Sequence, residues 1–299
     1  MSGPLPIDFD PSSLILLNVI MACMMFGVSL SLRFEDFTRV ARAPVTPVAA
    51  MVAQFILLPF LTWLMTMWLP VQPELALGMM LVASCPGGTF SNVLTWIARG
   101  NVAASVSMSA ISSLAATVMT PFNFALYGHL NPHTRELLST IALDPINILL
   151  LVALVLALPL ILGMWVGRRF PGFAARSERP FRIAAMLMLL GFVGLAFSKN
   201  FDLFIERFHS FFWLVVLHNL MALALGYAMA RALRVRWDDR RAMTLEIGIQ
   251  NSGLGLVILF TFFPQAGGMM LITAFWGVWH LVSGMVLAML WSRSGPATT

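Results

Sequence analysis

Apolar residues run along this chain in long blocks separated by short clusters of Pro, Gly and charge. That is the pattern of helices surrounded by apolar material, not of amphipathic helices or alternating strands. A hydrocarbon layer about 30 Å thick takes roughly 20 helical residues. Nine blocks meet that length, near 13–32, 44–69, 75–98, 102–128, 144–167, 181–198, 210–233, 242–263 and 268–291. The pattern predicts an all-α polytopic membrane protein of about nine transmembrane helices, with 1–299 forming one transmembrane domain.

The charged residues fall between the blocks and alternate with them. Arg33, Arg39 and Arg42, then Arg99, the stretch Arg168 to Arg182, the stretch Arg231 to Arg241, and Arg293 share one side, which holds fifteen of the 18 Lys and Arg residues. Arg135, Lys199 and Arg207 lie on the other. Because basic loops stay in the cytoplasm, the N-terminus is expected outside and the C-terminus inside a cell membrane, the inner membrane in a Gram-negative bacterium. Residues 1 to 12 carry no Lys or Arg and include Asp8 and Asp10, unlike a signal peptide, so the first block is expected to remain in the protein.

Composition agrees: 59% of residues are hydrophobic and 10% charged. The formal charge of +5 would suggest nucleic acid in a soluble protein, but here topology accounts for it. Cys23 and Cys85 both lie in apolar blocks, where a small buried side chain is the ordinary role and a disulfide is not. No phosphate-binding Gly-rich loop, metal-ligand spacing or nucleophile elbow is present, which argues against an ATP-driven pump or a membrane hydrolase.

Two blocks are polar in the middle. The third contains Ser84-Cys85-Pro86-Gly87-Gly88-Thr89-Phe90-Ser91-Asn92, and the eighth contains Glu246-Ile247-Gly248-Ile249-Gln250-Asn251-Ser252-Gly253. Proline removes a backbone donor and glycine weakens a helix, so both blocks are expected to break there. Lipid offers no partner for the freed carbonyls, so such breaks belong in the protein interior or against a wet cavity. Four blocks followed by five are consistent with inverted repeats, about 13–128 and 144–291, the first lacking its opening helix.

Of the 13 acidic residues, Glu246 alone lies well inside an apolar block. It is either an ion ligand or a helix-end glutamate that reaches water or pairs with Arg240 or Arg241. Gln250 and Asn251 follow within five residues. The fourth block carries Ser105 and Ser109 at i, i+4, with Ser112 and Ser113 a turn on, a hydroxyl face that serves either packing or cation coordination. Gln54 in the second block has the same two roles open to it. His218-Asn219 and His280 could carry protons, but single histidines in membrane helices more often make structural hydrogen bonds, and they are not placed in the site. Carboxylate, hydroxyl and amide oxygens form a hard donor set suited to an alkali cation.

The motifs Cys85 to Asn92, Ala98-Arg99-Gly100-Asn101 and Glu246 to Gly253 resemble the bile acid:sodium symporter family, over nearly the whole chain. The resemblance implies a core domain with two crossed, discontinuous helices, here the third and eighth, and a panel domain that moves against it. It implies two sodium ions. One would use Ser91, Asn92, Ser105, Ser109 and Glu246, the other Gln54, Glu246 and Gln250 with the carbonyls of Ile247 and Ile249. Ser109 stands where bacterial relatives have threonine, which keeps the hydroxyl. Thr89 and Asn251 would lie near the substrate. Some bacterial members have ten spans, whereas this chain looks like the nine-span members.

Two sodium ions around one carboxylate leave a positive site, and half-helix N-termini at a crossing add to it, so an organic anion is the expected passenger. Bile acids, pantoate and other small carboxylates all fit the family. The reading is therefore a sodium-coupled symporter and not an enzyme, with an organic anion and membrane lipid as partners, no nucleic acid, no obligate protein partner and no organic cofactor. Two alternatives stay open: a proton on Glu246 as the coupling ion, and a membrane receptor or enzyme using the same cavity.

Overall fold

The computed structural model describes residues 12–30, 44–140, 145–199 and 201–293. Asp8 and Asp10, with the first basic loop carrying Arg33, Arg39 and Arg42, lie outside the described residues. Within them the chain is helical throughout: α1 (Ser12–Ser29), α2 (Val45–Trp68), α3 (Pro73–Ser84), α4 (Phe90–Ile97), α5 (Val102–Leu130), α6 (Pro132–Thr140), α7 (145–169), α8 (Pro171–Lys199), α9 (Phe201–Ala232), α10 (Trp237–Gly248), α11 (Ser252–Phe262) and α12 (Gly267–Arg293). Five stretches are long and apolar enough to cross a membrane, Val45–Trp68, Val102–Leu130, Leu150–Arg169, Phe208–Ala232 and Gly267–Arg293. This is a polytopic membrane protein by that measure.

The third and eighth apolar blocks each appear as two shorter helices, α3 with α4 and α10 with α11, divided where Pro86-Gly87-Gly88 and Ile249 to Asn251 fall. Elsewhere the helices outrun the apolar blocks. α8 begins at Pro171 and passes through the arginine-rich stretch, and α9 begins at Phe201. Hydropathy delimits the part that suits lipid, and helical structure continues past it through a polar stretch that includes Arg176 and Glu178. α6 falls in what the pattern reads as a loop. It starts after Asn131, whose Oδ1 accepts from the His133 N–H at 2.9 Å, with Pro132 at the first helical position.

The distribution of side chains is inverted relative to a soluble protein. Ile15, Val48, Trp68, Phe122, Leu154 and Trp213 are exposed, while Gln54, Ser91, Ser105, Thr120, Asn123, Asn219 and Glu246 are buried. In lipid this is the stable arrangement, because polar groups find partners only inside the protein.

Helices α1, α7 and α8 pack on one another and lie against α5 and α11. The remaining helices gather round the two breaks: α3 packs on α5 and α12, and α10 packs on α4, α5 and α9. Two of the long helices widen into a π segment just before a proline. α2 holds a π segment at Ala53–Leu57 just before Pro59, and α7 holds one at Ala153–Ala157 just before Pro159. Pro59 has no N–H for the Phe55 carbonyl one turn back, and the buried side-chain amide of Asn123 donates to it at 2.8 Å. The widened turn places Gln54 at the interior.

Candidate functional site

The two helix breaks bond to each other. Gly88 N–H donates to the Ile249 carbonyl at 2.6 Å, Asn251 N–H donates to the Pro86 carbonyl at 2.8 Å, and Gly87 faces Gln250 as an antiparallel bridge. Backbone groups that each break releases are thus satisfied by the other. The approach leaves no room for side chains: a Cβ at Gly88 would lie 2.9 Å from the Gln250 carbonyl oxygen, and one at Gly87 would lie 2.1 Å from Oε1 of Glu246. Asn219 of α9 supports the same junction by donating its amide to the Gly248 carbonyl, the last of α10, at 2.8 Å.

Glu246 is 1% exposed. Its Oε2 accepts from Ser91 Oγ at 2.6 Å and Ser109 Oγ at 2.8 Å, and its Oε1 accepts from Ser112 Oγ at 3.4 Å. Ser109 Oγ also lies 3.4 Å from Asn92 Oδ1. The helix-end alternative therefore fails: Arg241 donates to the Ala98 carbonyl and Arg240 to the Val235 carbonyl, and the partners of the carboxylate are serines. A buried carboxylate whose hydrogen-bond partners are all neutral hydroxyls has no cationic side chain, among the described residues, to balance its charge.

A second cluster adjoins the first across Gly87. Gln54 Nε2 donates to the Cys85 carbonyl at 2.7 Å and to Gln250 Oε1 at 2.6 Å, and Gln250 Nε2 donates to the Ile247 carbonyl at 2.7 Å. Two amides and two carbonyls, from α2 and both breaks, converge here.

Of the residues singled out in the sequence, Ser91, Asn92, Ser109 and Glu246 come together, as do Gln54, Gln250 and the Ile247 carbonyl. Two stand apart. Ser105 Oγ accepts from Thr95 Oγ1 at 3.3 Å and is not among the hydroxyls on the carboxylate, and the Ile249 carbonyl accepts the Gly88 N–H. Ser112, which touches Glu246, lies outside the ligand set that the resemblance implies, although it follows Ser105 and Ser109 on the same helical face. Asn219 has a structural role at the junction, through its bond to the Gly248 carbonyl. His218 holds helices together: Trp276 Nε1 donates to its Nδ1 at 3.1 Å, and its Nε2 lies 2.9 Å from Thr62 Oγ1.

Thr89 and Asn251 stand at the N-cap positions of α4 and α11. Asn251 Oδ1 accepts the Leu254 N–H at 3.1 Å, whereas the Thr89 side chain makes no capping bond. The N-termini of two half-helices therefore meet at the junction, with the C-termini of α3 and α10. N-terminal ends favour anions, and C-terminal carbonyls favour cations.

A family model for the sodium bile acid symporter family matches residues 18–207, a span that includes Ser91 and Asn92 and stops short of Glu246. The sodium-dependent transporter YocS of Bacillus subtilis is 30% identical over 277 residues, covering 93% of this chain and 83% of the relative. The probable chloroplast sodium/metabolite cotransporter BASS1 of Arabidopsis thaliana is 29% identical over 277 residues, 91% of this chain and 65% of its own. A human sodium-dependent organic anion transporter is 26% identical over 280 residues, covering 90% of this chain and 71% of its own.

Proposed function

This chain belongs to the sodium bile acid symporter family, a family of sodium-dependent transporters and not of enzymes, and we propose that it imports an organic anion with sodium by alternating access. The observation that carries the reading is the Glu246 carboxylate, buried among serine hydroxyls from two other helices. In this reading Ser91, Asn92, Ser105, Ser109 and Glu246 hold one sodium ion. Gln54, Glu246 and Gln250, with the carbonyls of Ile247 and Ile249, hold a second. Oxygen donors of this kind suit a hard cation.

The passenger is a bile acid-like molecule or a small carboxylate such as pantoate. Thr89 and Asn251 stand at the N-terminal ends of the half-helices whose positive ends would face its carboxylate. The human relative named for organic anions supports that class. The chain is one domain of nine spans, built as inverted repeats at about 13–128 and 144–291, with the paired breaks as crossed helices. The α1, α7 and α8 group acts as the panel and the rest as the core, with the N-terminus outside and the C-terminus in the cytoplasm. Sodium draws the hydroxyls and amides of both breaks onto itself, which fixes the junction where the anion binds.

Melting of the purified protein in sodium, potassium and choline chloride at matched ionic strength tests the coupling site. Saturating a site at a hundred times its dissociation constant adds about 2.7 kcal/mol to the folded state. Sodium alone is expected to raise the melting temperature, and Glu246→Gln is expected to remove that difference. Equal melting in all three salts would sink the proposal, and a dependence on pH without sodium would point to proton coupling.

A further inference from the structure

A cluster of bonds at the far end of the ligand-bearing helices is untouched by the ligand set. α4 brings Ser91 and Asn92, α5 brings Ser105, Ser109 and Ser112, and α10 brings Glu246. All three elements are stitched together in the short loop 98–101. Arg99 turns the chain with a φ of 55°, in the left-handed region. Arg241 of α10 donates from Nη1 to the Ala98 carbonyl at 2.6 Å, at the C-terminal end of α4, and its guanidinium lies 4.7 Å from the Trp237 ring. A Cβ at Gly100 would lie 2.9 Å from Thr95 Cγ2, 3.1 Å from Arg241 Cβ and 3.1 Å from the Asp238 carbonyl oxygen, so the loop runs directly against α10.

Asn101 joins the two helices that face each other across the carboxylate. Its Oδ1 accepts the Ala104 N–H at 3.1 Å and so caps α5. Its Nδ2 donates to Asp239 Oδ1 at 2.6 Å, and its main-chain N–H donates to the Asp238 carbonyl at 3.0 Å. Ser105 and Ser109 stand one and two turns along α5 from this cap. Glu246 stands seven residues along α10 from Asp239, about 10 Å and two turns away on the same face. A shift of one helix against the other at the clasp therefore changes the distance between the serine hydroxyls and the carboxylate.

We infer that Asn101 and Asp239 are positioning residues that set the spacing between α5 and α10, and through it the affinity for sodium. The inference rests on the reading of Glu246 as a sodium ligand. Groups that orient a metal's ligands without touching the metal change affinity by about tenfold or more when removed.

The test is the sodium concentration that half-saturates the thermal shift, measured on the full-length protein. Asn101→Asp keeps an oxygen to cap α5 but loses the donor and sets two carboxylates against each other, so half-saturation is expected to rise about tenfold. Asn101→Asp/Asp239→Asn restores a donor from the other side, and half-saturation is expected to return towards the wild-type value. Asn101→Ser, which keeps the cap without adding charge, serves if Asn101→Asp does not fold. Variants that melt lower in choline and sodium alike, with unchanged half-saturation, would make the clasp structural only and overturn the inference while leaving the coupling site standing. A wild-type protein with no sodium-specific shift would remove both, and that result is read without any variant at the clasp.

Discussion

Glu246 is the residue on which the site turns, and its partners are unequal. Ser91 and Ser109 lie 2.6 and 2.8 Å from Oε2, Ser112 lies 3.4 Å from Oε1, and Ser105 is turned to Thr95. Removing one close oxygen from a small cation site costs more than removing a distant one. Ser91→Ala and Ser109→Ala are expected to raise half-saturating sodium by about tenfold, and Ser105→Ala by less, the ratio being read from sodium titrations of the thermal shift. A larger effect from Ser105→Ala would place the ion nearer the start of α5 than the carboxylate lies. Gly87→Ala gives a harder outcome at the same scale. Its Cβ would fall 2.1 Å from Oε1, and since Glu246 is packed on all sides the carboxylate has to leave its place or the bridge to Gln250 has to open. Either change should abolish sodium-specific stabilisation.

At the scale of elements, the breaks and widened turns are held by side chains from elsewhere in the chain. Pro59 frees the Phe55 carbonyl, and Asn123 of α5 supplies the donor that lipid lacks. Asn123→Leu leaves a buried acceptor unpaired, a cost of about 1–3 kcal/mol. Melting should fall by that cost in choline, and by at least as much in sodium, because the same π segment places Gln54. A variant of unchanged stability would mean that the π segment does not depend on this bond. These contacts also mark how far the sequence could be read. Pro86-Gly87-Gly88 and the glycines flanking Gln250 announce where α3 and α10 end, since proline and glycine act locally. That Gly88 N–H meets the Ile249 carbonyl is a pairing across 161 residues, and no local signal carries it. Periodicity places Ser105, Ser109 and Ser112 on one face of α5, but only the rotation and height of α10 select Ser109 and Ser112 for the carboxylate. Hydropathy found where lipid is tolerated and so cut α8 short, because the helix runs on through Arg176 and Glu178 into a region that hydropathy does not describe.

For the whole molecule the decisive property is movement of charge. In the proposed cycle two sodium ions accompany one monovalent anion, so one net positive charge crosses in each turnover. An inside-negative potential of 100 mV favours that charge by about 2.3 kcal/mol, close to a fiftyfold effect on the accumulation of the anion. Protein reconstituted in sealed vesicles separates the possibilities. With an inward sodium gradient, labelled taurocholate or pantoate should accumulate, and replacing sodium with choline should stop it. A potassium diffusion potential, negative inside, should raise the accumulation and the opposite polarity should lower it. A receptor or enzyme built on the same cavity would bind or convert the anion without filling the vesicle. Sodium-dependent uptake that ignores the potential would mean that the charges balance, one sodium to one monovalent anion. The Gln54 and Gln250 amides would then hold each other across the junction, as they do here at 2.6 Å, without closing on a second ion.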